Sequence, residues 1–401
     1  MPDPSPRSAS LALAAGGLSC LAGAMGIGRF LYTPILPLMV EALGLSKTQA
    51  GLLASANFVG YLAGALLAAA QRLPGSARAQ LLAGLALGAA TTFAMGLTAS
   101  FGLFLALRFA GGLASAIVLV CASSLVLERL ARQGRPGLSS LHFAGVGLGI
   151  VISALLVLAA PPLGGGWRAL WLAGGAVHAL ALVLAAWLIT PAAPAPAAAA
   201  ASTGPGRMPI PLVLAYGLFG FGYVTTATFL VAIVRSDPAT RPYEAAIWMA
   251  VGLAGMISVA AWSALARRMG LLRAFAAACL AEGVGVLASV GPLGLGGLLL
   301  AAVLLGGTFM AITALGLVAA RTYAPHAPRR ILGLMTASFG VGQIVGPLVA
   351  GAGYDWTGSF VLPSLAAALL LGVAAGLAWV LPPPASTSIP VPAPTPAPGR
   401  R

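Results

Sequence analysis

Charge is what this sequence has least of. Charged side chains make up 7% of its 401 residues, against roughly 25% in an average globular protein. A soluble chain of this length could not cover its surface with so few. Cysteine is equally sparse: Cys20, Cys121 and Cys279 are odd in number and each sits inside an apolar run. That excludes a disulfide framework, and no Cys/His spacing suggests a metal site. With three histidines and seven acidic residues in the whole chain, no His, Asp or Glu cluster and no Ser/Lys pair falls at membrane depth, as an intramembrane enzyme would need. There is no phosphate-cradling Walker A motif and no cofactor-binding motif, so a pump driven by ATP would need a separate subunit.

Apolar residues are abundant at 60%, and mean hydropathy is +1.00. A membrane-crossing helix needs about 20 mainly apolar residues. Reading apolar runs against charged and Pro/Gly breaks predicts twelve such spans, at 9–39, 48–70, 79–98, 102–128, 138–160, 167–190, 209–234, 244–266, 273–290, 293–320, 330–353 and 359–382. The first is long and contains Pro34 and Pro37, which predicts a kink at its outer end. The expected class is therefore an all-α integral membrane protein. The 53 glycines and 30 prolines suit close helix approach in lipid.

Of the 21 basic residues, fifteen fall in segments on the side of the N-terminus, four (Lys47, Arg168, Arg235, Arg241) on the other side, and Arg29 and Arg108 inside spans. Basic residues mark the cytoplasmic side, so both termini are expected in the cytoplasm. The same spread over every inner loop argues against nucleic acid as a partner, because no single basic patch forms. Residues 191–207, PAAPAPAAAAASTGPGR, read as a cytoplasmic linker between halves 1–190 and 208–382, and 383–401 as a disordered cytoplasmic tail.

The halves repeat. Arg72, Gly75 and Arg78 recur 195 positions later as Arg267, Gly270 and Arg273; Gly111-Gly112 recurs as Gly306-Gly307; Gly145-Val146-Gly147 recurs as Gly340-Val341-Gly342. Gly26 and Gly28 recur as Gly220 and Gly222 at an offset of 194. Six plus six helices in parallel duplication, with substrate held between them, is a known transporter architecture.

Particular motifs carry a resemblance. Gly26-Ile27-Gly28-Arg29-Phe30-Leu31-Tyr32-Thr33-Pro34, Tyr216-Gly217-Leu218-Phe219-Gly220-Phe221-Gly222-Tyr223, Gly306-Gly307-Thr308-Phe309-Met310 and Gly340-Val341-Gly342-Gln343-Ile344-Val345-Gly346-Pro347 resemble the YbfB/YjiJ-type subfamily of major facilitator superfamily transporters. The resemblance implies a multi-pass permease of the bacterial inner membrane, working as a monomer in the lipid bilayer, with spans 3, 6, 9 and 12 as outer supports and protons as the coupling ion. One departure stands out. The superfamily's loop motif has Asp three residues before its Gly, where this chain has Arg72, with Arg267 in the repeat.

Ionisable groups at membrane depth mark pathways or coupling sites by default. Arg29 and Arg108 are the deep charges on the presumed cavity spans, and an unpaired buried cation needs a partner. A small organic anion would supply one. The expected substrate-binding set is Arg29, Tyr32, Asn57, Arg108, Tyr223, Thr226 and Gln343, a few polar anchors among apolar walls. His142 and Glu282 are the candidates for proton coupling; His178, on an expected support span, is discounted. Arg72, Gly75, Gly145, Gly147, Arg267, Gly270, Gly340, Gly342, Gly346 and Pro347 are expected to serve gating and helix packing. The expected activity is secondary active transport by alternating access. Broad-selectivity drug or metabolite efflux, or a non-transporting receptor, are the alternatives.

Overall fold

A run of apolar residues in lipid must satisfy its backbone internally, and a helix does so. In the computed structural model, which describes residues 6–70, 73–160, 165–191, 208–324 and 328–382, the chain is helical almost throughout. The helices are α1 (Pro6–Leu21), α2 (Tyr32–Leu43), α3 (Lys47–Ala69), α4 (Ala77–Met95), α5 (Phe101–Arg132), α6 (Ser139–Ala159), α7 (Trp167–Leu188), α8 (Ile210–Ser236), α9 (Glu244–Met269), α10 (Leu271–Val290), α11 (Gly294–Tyr323), α12 (Pro328–Thr357) and α13 (Val361–Trp379). From α3 onward each predicted span coincides with one helix to within a few residues. Arg72, the linker at 192–207 and the tail from 383 lie outside the described residues.

The first predicted span differs. It is broken at mid-length, between α1 and α2, not kinked at its outer end. A π-helical turn occupies Ala22–Ile27, and the Gly28 N–H reaches back five residues to the Gly23 carbonyl at 2.8 Å. Pro34, in the first turn of α2, has no N–H to donate to Phe30, and its ring crowds that carbonyl. The strain therefore falls upstream of the proline, on residues 28–31. Such turns within helices frequently mark functional sites, and Arg29 sits in this one.

Eleven helical stretches among the described residues are long and apolar enough to cross a membrane, with α1 and α2 forming one of them. The helix left over is α4, with 19 residues; Arg78, Gln80, Thr91 and Thr92 dilute its apolar content. It nevertheless packs between α5 and α7 as the twelfth member of the bundle. The repeat has a backbone counterpart: Gly75 and Gly270 both adopt left-handed φ, +84° and +90°, in loops leading into α4 and α10, where a Cβ would be strained.

The helices of the first six spans meet those of the last six along three seams, α3 with α12, α6 with α9, and α2 with α8. The helices α4 and α7 pack within the first set, and α10 and α13 within the last. Small residues bring the seams together. Gly51 faces the Pro347 carbonyl, Gly351 faces the Lys47 carbonyl, and a Cβ on Gly147 would lie 2.5 Å from the Gly252 carbonyl. Within each set, Gly145 abuts the Leu18 carbonyl, Gly342 abuts Gly217, and Gly346 abuts Val224 and Phe221. Gly340 lies against the Leu62 side chain across the α3–α12 seam.

Polar ties between the two sets cluster toward the end of the bundle opposite the termini, called here the far end. Arg235 grips both carboxylate oxygens of Glu41, at 2.8 and 2.9 Å, and Glu244 at 2.7 Å. Asp355 caps α3 by accepting from the Lys47 and Thr48 N–H groups at 3.0 and 2.8 Å, as a carboxylate at a helix N-terminus should. Thr33 donates to the Ala227 carbonyl at 2.7 Å, Ser55 to the Ile344 carbonyl at 2.7 Å, and Trp248 to Ser153 at 2.9 Å.

Candidate functional site

At the centre of the seams the broken first span presents Arg29, which is 5% exposed. Its guanidinium carbon lies 4.4 Å from the Tyr61 ring centroid, 4.9 Å from Phe58 and 5.8 Å from Phe30. One terminal nitrogen, Nη1, points to the Met25 sulfur at 3.7 Å. The Tyr61 hydroxyl lies beside the group, yet Nε and Nη2 have no hydrogen-bond acceptor among the described residues. Cation–π contacts supply about 2 kcal/mol each when desolvated. Burying a cation costs several kcal/mol and is offset only by a counter-charge or full hydrogen bonding. The aromatic cage holds Arg29 in place but leaves one edge of it chemically open.

The opposite wall comes from the last set of helices. Tyr223 stands 194 positions after Arg29, the same offset that relates Gly26 to Gly220, and interacts with Arg29 across the centre. Its ring is nearly parallel to Phe339 (5.8 Å, 5°) and Phe309 (6.0 Å, 15°) and stacks on Phe219 (5.1 Å, 26°). Phe30 meets Phe309 edge-on at 5.6 Å, joining the two walls. Gln343 donates to the Tyr223 hydroxyl, which leaves its amide oxygen unpaired; the buried Thr226 hydroxyl is unpaired as well. A slit with room for about one water molecule runs beside Phe30, Ala227, Trp248 and Phe309.

Arg108 is held differently. It donates to the Leu53 and Gly28 carbonyls, both at 3.3 Å, and lies 4.6 Å over the Tyr32 ring. Tyr32 donates to the Ala50 carbonyl at 2.8 Å, and the Asn57 amide donates to the Arg108 carbonyl at 2.9 Å. These three expected binding residues therefore tie α2, α3 and α5 together through backbone partners. Their one open group is the Asn57 amide oxygen, beside a second water-sized slit lined by Gly28, Thr91, Thr92 and Trp171. Arg29, Tyr223, Thr226 and Gln343 keep unused hydrogen-bonding capacity or face the cage. Tyr32 and Arg108 do not.

His142 is buried, pairs with the Ser123 hydroxyl at 3.3 Å and packs on Gly17, more than three helical turns before Arg29. Glu282 is fully buried on α10 beside Thr308, and neither carboxyl oxygen meets a hydrogen-bonding partner of good geometry. His178 packs its ring on Gly23, Gly28 and Gly88, against the π turn. Arg267 is exposed and bonds only the Ser263 carbonyl of its own helix. Among the described residues no group of three His, Cys, Asp or Glu could hold a metal.

Sequence reasoning did not single out Phe30, Phe58, Phe219, Phe309 and Phe339 as site residues. The signal was present in part: Tyr216, Phe219 and Tyr223 are spaced i, i+3, i+7, and Phe58 and Tyr61 i, i+3, the spacing of one helix face.

Across residues 21–379 the chain matches the family described as "Uncharacterised MFS-type transporter YbfB". No curated protein sequence matches it. Among solved structures it is similar to the nucleoside transporter NupG (TM-score 0.69, 16% identity, covering 92% of this chain and 97% of that one) and to a mutant of the same protein (TM-score 0.70, 16% identity, 92% and 98%). A bacterial homolog of the human lysosomal transporter Spinster, in an inward-facing and unoccupied conformation, is also similar (TM-score 0.67, 15% identity, 94% and 97%). At these identities the likeness to solved structures shows the fold. The family match goes further: this chain is a multi-pass membrane transporter and belongs to the YbfB-type family of the major facilitator superfamily.

Proposed function

We propose that the protein moves a small organic anion across the bacterial inner membrane by alternating access, as a secondary active transporter. Residues 1–190 and 208–382 form the two rocking halves, and both termini face the cytoplasm. The observation that carries this reading is Arg29, a buried guanidinium whose Nε and Nη2 have no acceptor from the protein. An anionic substrate supplies that acceptor at the point where both halves contribute walls. Binding measured on the purified protein in nanodiscs tests it. Carboxylates should bind and their amides should not, whereas equal binding of neutral isosteres would remove the charge argument.

Tyr223, Thr226 and Gln343 serve as the polar anchors opposite Arg29, and Tyr32, Asn57 and Arg108 position the broken span that carries it. Glu282 is the stronger of the two proton-coupling candidates. It is fully buried beside Thr308 with its carboxyl oxygens unpaired, and it sits one helix behind the aromatic wall, within electrostatic reach of Tyr223. If it carries the proton, Glu282→Gln should abolish pH-driven accumulation while leaving counterflow exchange intact. Accumulation unchanged in that variant would take Glu282 out of the mechanism.

The Arg235–Glu41–Glu244 cluster acts as the latch of the closed far end. Arg235 is 11% exposed and Glu41 51%, so the pair contributes about 1 kcal/mol. Arg235→Gln should therefore raise the far-end accessibility of a cysteine placed at Ala227 by roughly fivefold, read as its labelling rate with a membrane-impermeant maleimide. An unchanged rate would mean that the latch does not set the conformational balance.

A further inference from the structure

We infer that the transported anion is a monocarboxylate carrying a flat unsaturated ring, bound with its carboxylate on Arg29 and its ring against Tyr223. The inference rests on the proposal that the substrate is an anion and adds its shape and charge number. Three observations carry it.

The first is which atoms of Arg29 are open. Nε and Nη2 share one edge of the planar guanidinium, and they are the two nitrogens without an acceptor. Two parallel N–H groups on one edge match the two oxygens of a carboxylate in a side-on pair. The remaining nitrogen is occupied by the Met25 sulfur, so the site offers one edge and takes one carboxylate.

The second is the charge count. A dicarboxylate or a phosphate ester would need a second free cation. Arg108 is the other deep guanidinium, and it is spent on the Leu53 and Gly28 carbonyls and the Tyr32 ring. The Arg235 cluster at the far end is already matched by carboxylates. One net negative charge is what the centre can neutralise.

The third is the wall. Only 7% of the chain is aromatic, yet five of its fourteen phenylalanines and three of its seven tyrosines surround this one point. The rings nearest the centre on the second half are close to parallel, with Tyr223 and Phe339 5° apart. An aliphatic chain or a puckered ring gains little from parallel faces, whereas a flat ring stacks on them in the offset geometry that aromatic pairs prefer. The free Gln343 amide oxygen beside Tyr223 offers an acceptor for a hydroxyl or N–H on the far side of such a ring. The water-sized slit beside Phe30 and Phe309 must widen for a ring to seat, so binding is coupled to movement of the two walls.

The test is equilibrium binding to the full-length protein in nanodiscs with three probes of similar size: benzoate, cyclohexanecarboxylate and benzamide. Benzoate should bind at least tenfold tighter than cyclohexanecarboxylate, and benzamide should not compete. Arg29→Lys should keep weak benzoate binding, which shows that a folded cationic site survives, and Tyr223→Leu should erase the preference for the flat ring while keeping the preference for charge. Equal affinity for benzoate and cyclohexanecarboxylate, both dependent on Arg29, would overturn the ring and leave the anion reading standing. Benzamide binding as well as benzoate, or no saturable binding of either carboxylate, would overturn both.

Discussion

Replacing Arg29 with glutamine should abolish substrate flux while leaving the protein as stable as before or more so. The two effects have opposite signs because they draw on different terms. Arg29 is buried with two nitrogens lacking acceptors, and replacing an uncompensated buried charge by a neutral group of similar shape is neutral or stabilising, by about 1–4 kcal/mol. The substrate loses a charge-assisted pair, which costs about 2–5 kcal/mol, or thirtyfold and upward in affinity. Arg108→Gln should behave in the reverse manner. It strips donors from the Leu53 and Gly28 carbonyls, and each buried carbonyl left unpaired costs about 1–3 kcal/mol. Thermal unfolding in detergent, run beside flux in proteoliposomes, separates the two. A strongly destabilised Arg29→Gln protein would mean that the aromatic cage makes Arg29 a structural residue.

Gly252→Val should be the most damaging substitution away from the cage. Gly252 forms the α6–α9 seam, where a Cβ would lie 2.7 Å from the Val151 nitrogen and 2.8 Å from the Gly147 carbonyl. Both neighbours are backbone, so they cannot rotate aside, and the helices must separate. Overpacking of this kind costs about 1–3 kcal/mol in a rigid core, and here it falls on an interface between the two halves. Flux should drop below a tenth of the wild-type rate, with a lower melting temperature. Gly307→Val is the control, because a Cβ there meets nothing within 4 Å; it should retain wild-type flux. If Gly252→Val transported normally, tight closure of this seam would not be required for the cycle.

Much of the fold was legible because lipid imposes a simple rule. A run of apolar residues must be helical and a charged one must lie outside, so eleven of the twelve spans can be placed from hydropathy to within a few residues. The internal repeat was legible for a similar reason. The left-handed turns at Gly75 and Gly270 and the backbone contacts at Gly147 and Gly342 tolerate no side chain, so glycine stands there in both halves. The break in the first span could be sensed from Pro34 but not placed, since the π turn answers to packing of His178 against Gly23 and Gly28, which hydropathy does not encode.

The site was legible by residue type and not by partner. Arg29 and Arg108 look alike in sequence, each a cation inside an apolar run. What separates them is that two backbone carbonyls from other elements reach Arg108 and none reaches Arg29. That depends on which helices meet, as does the pairing of Gln343 with Tyr223, 120 residues apart. The aromatic walls were hidden for a related reason. A phenylalanine facing lipid and one facing the centre have the same hydropathy, and only their convergence across both halves distinguishes them.

The most direct test of the transport mechanism is uptake of labelled benzoate into proteoliposomes under an imposed inward proton gradient, with the wild-type protein and the Arg29→Gln variant side by side. Accumulation by the wild type that collapses with the gradient and is absent from the variant is the expected result. Equal, gradient-independent uptake by both proteins would contradict it, and would mean that Arg29 neither binds the transported anion nor takes part in moving it.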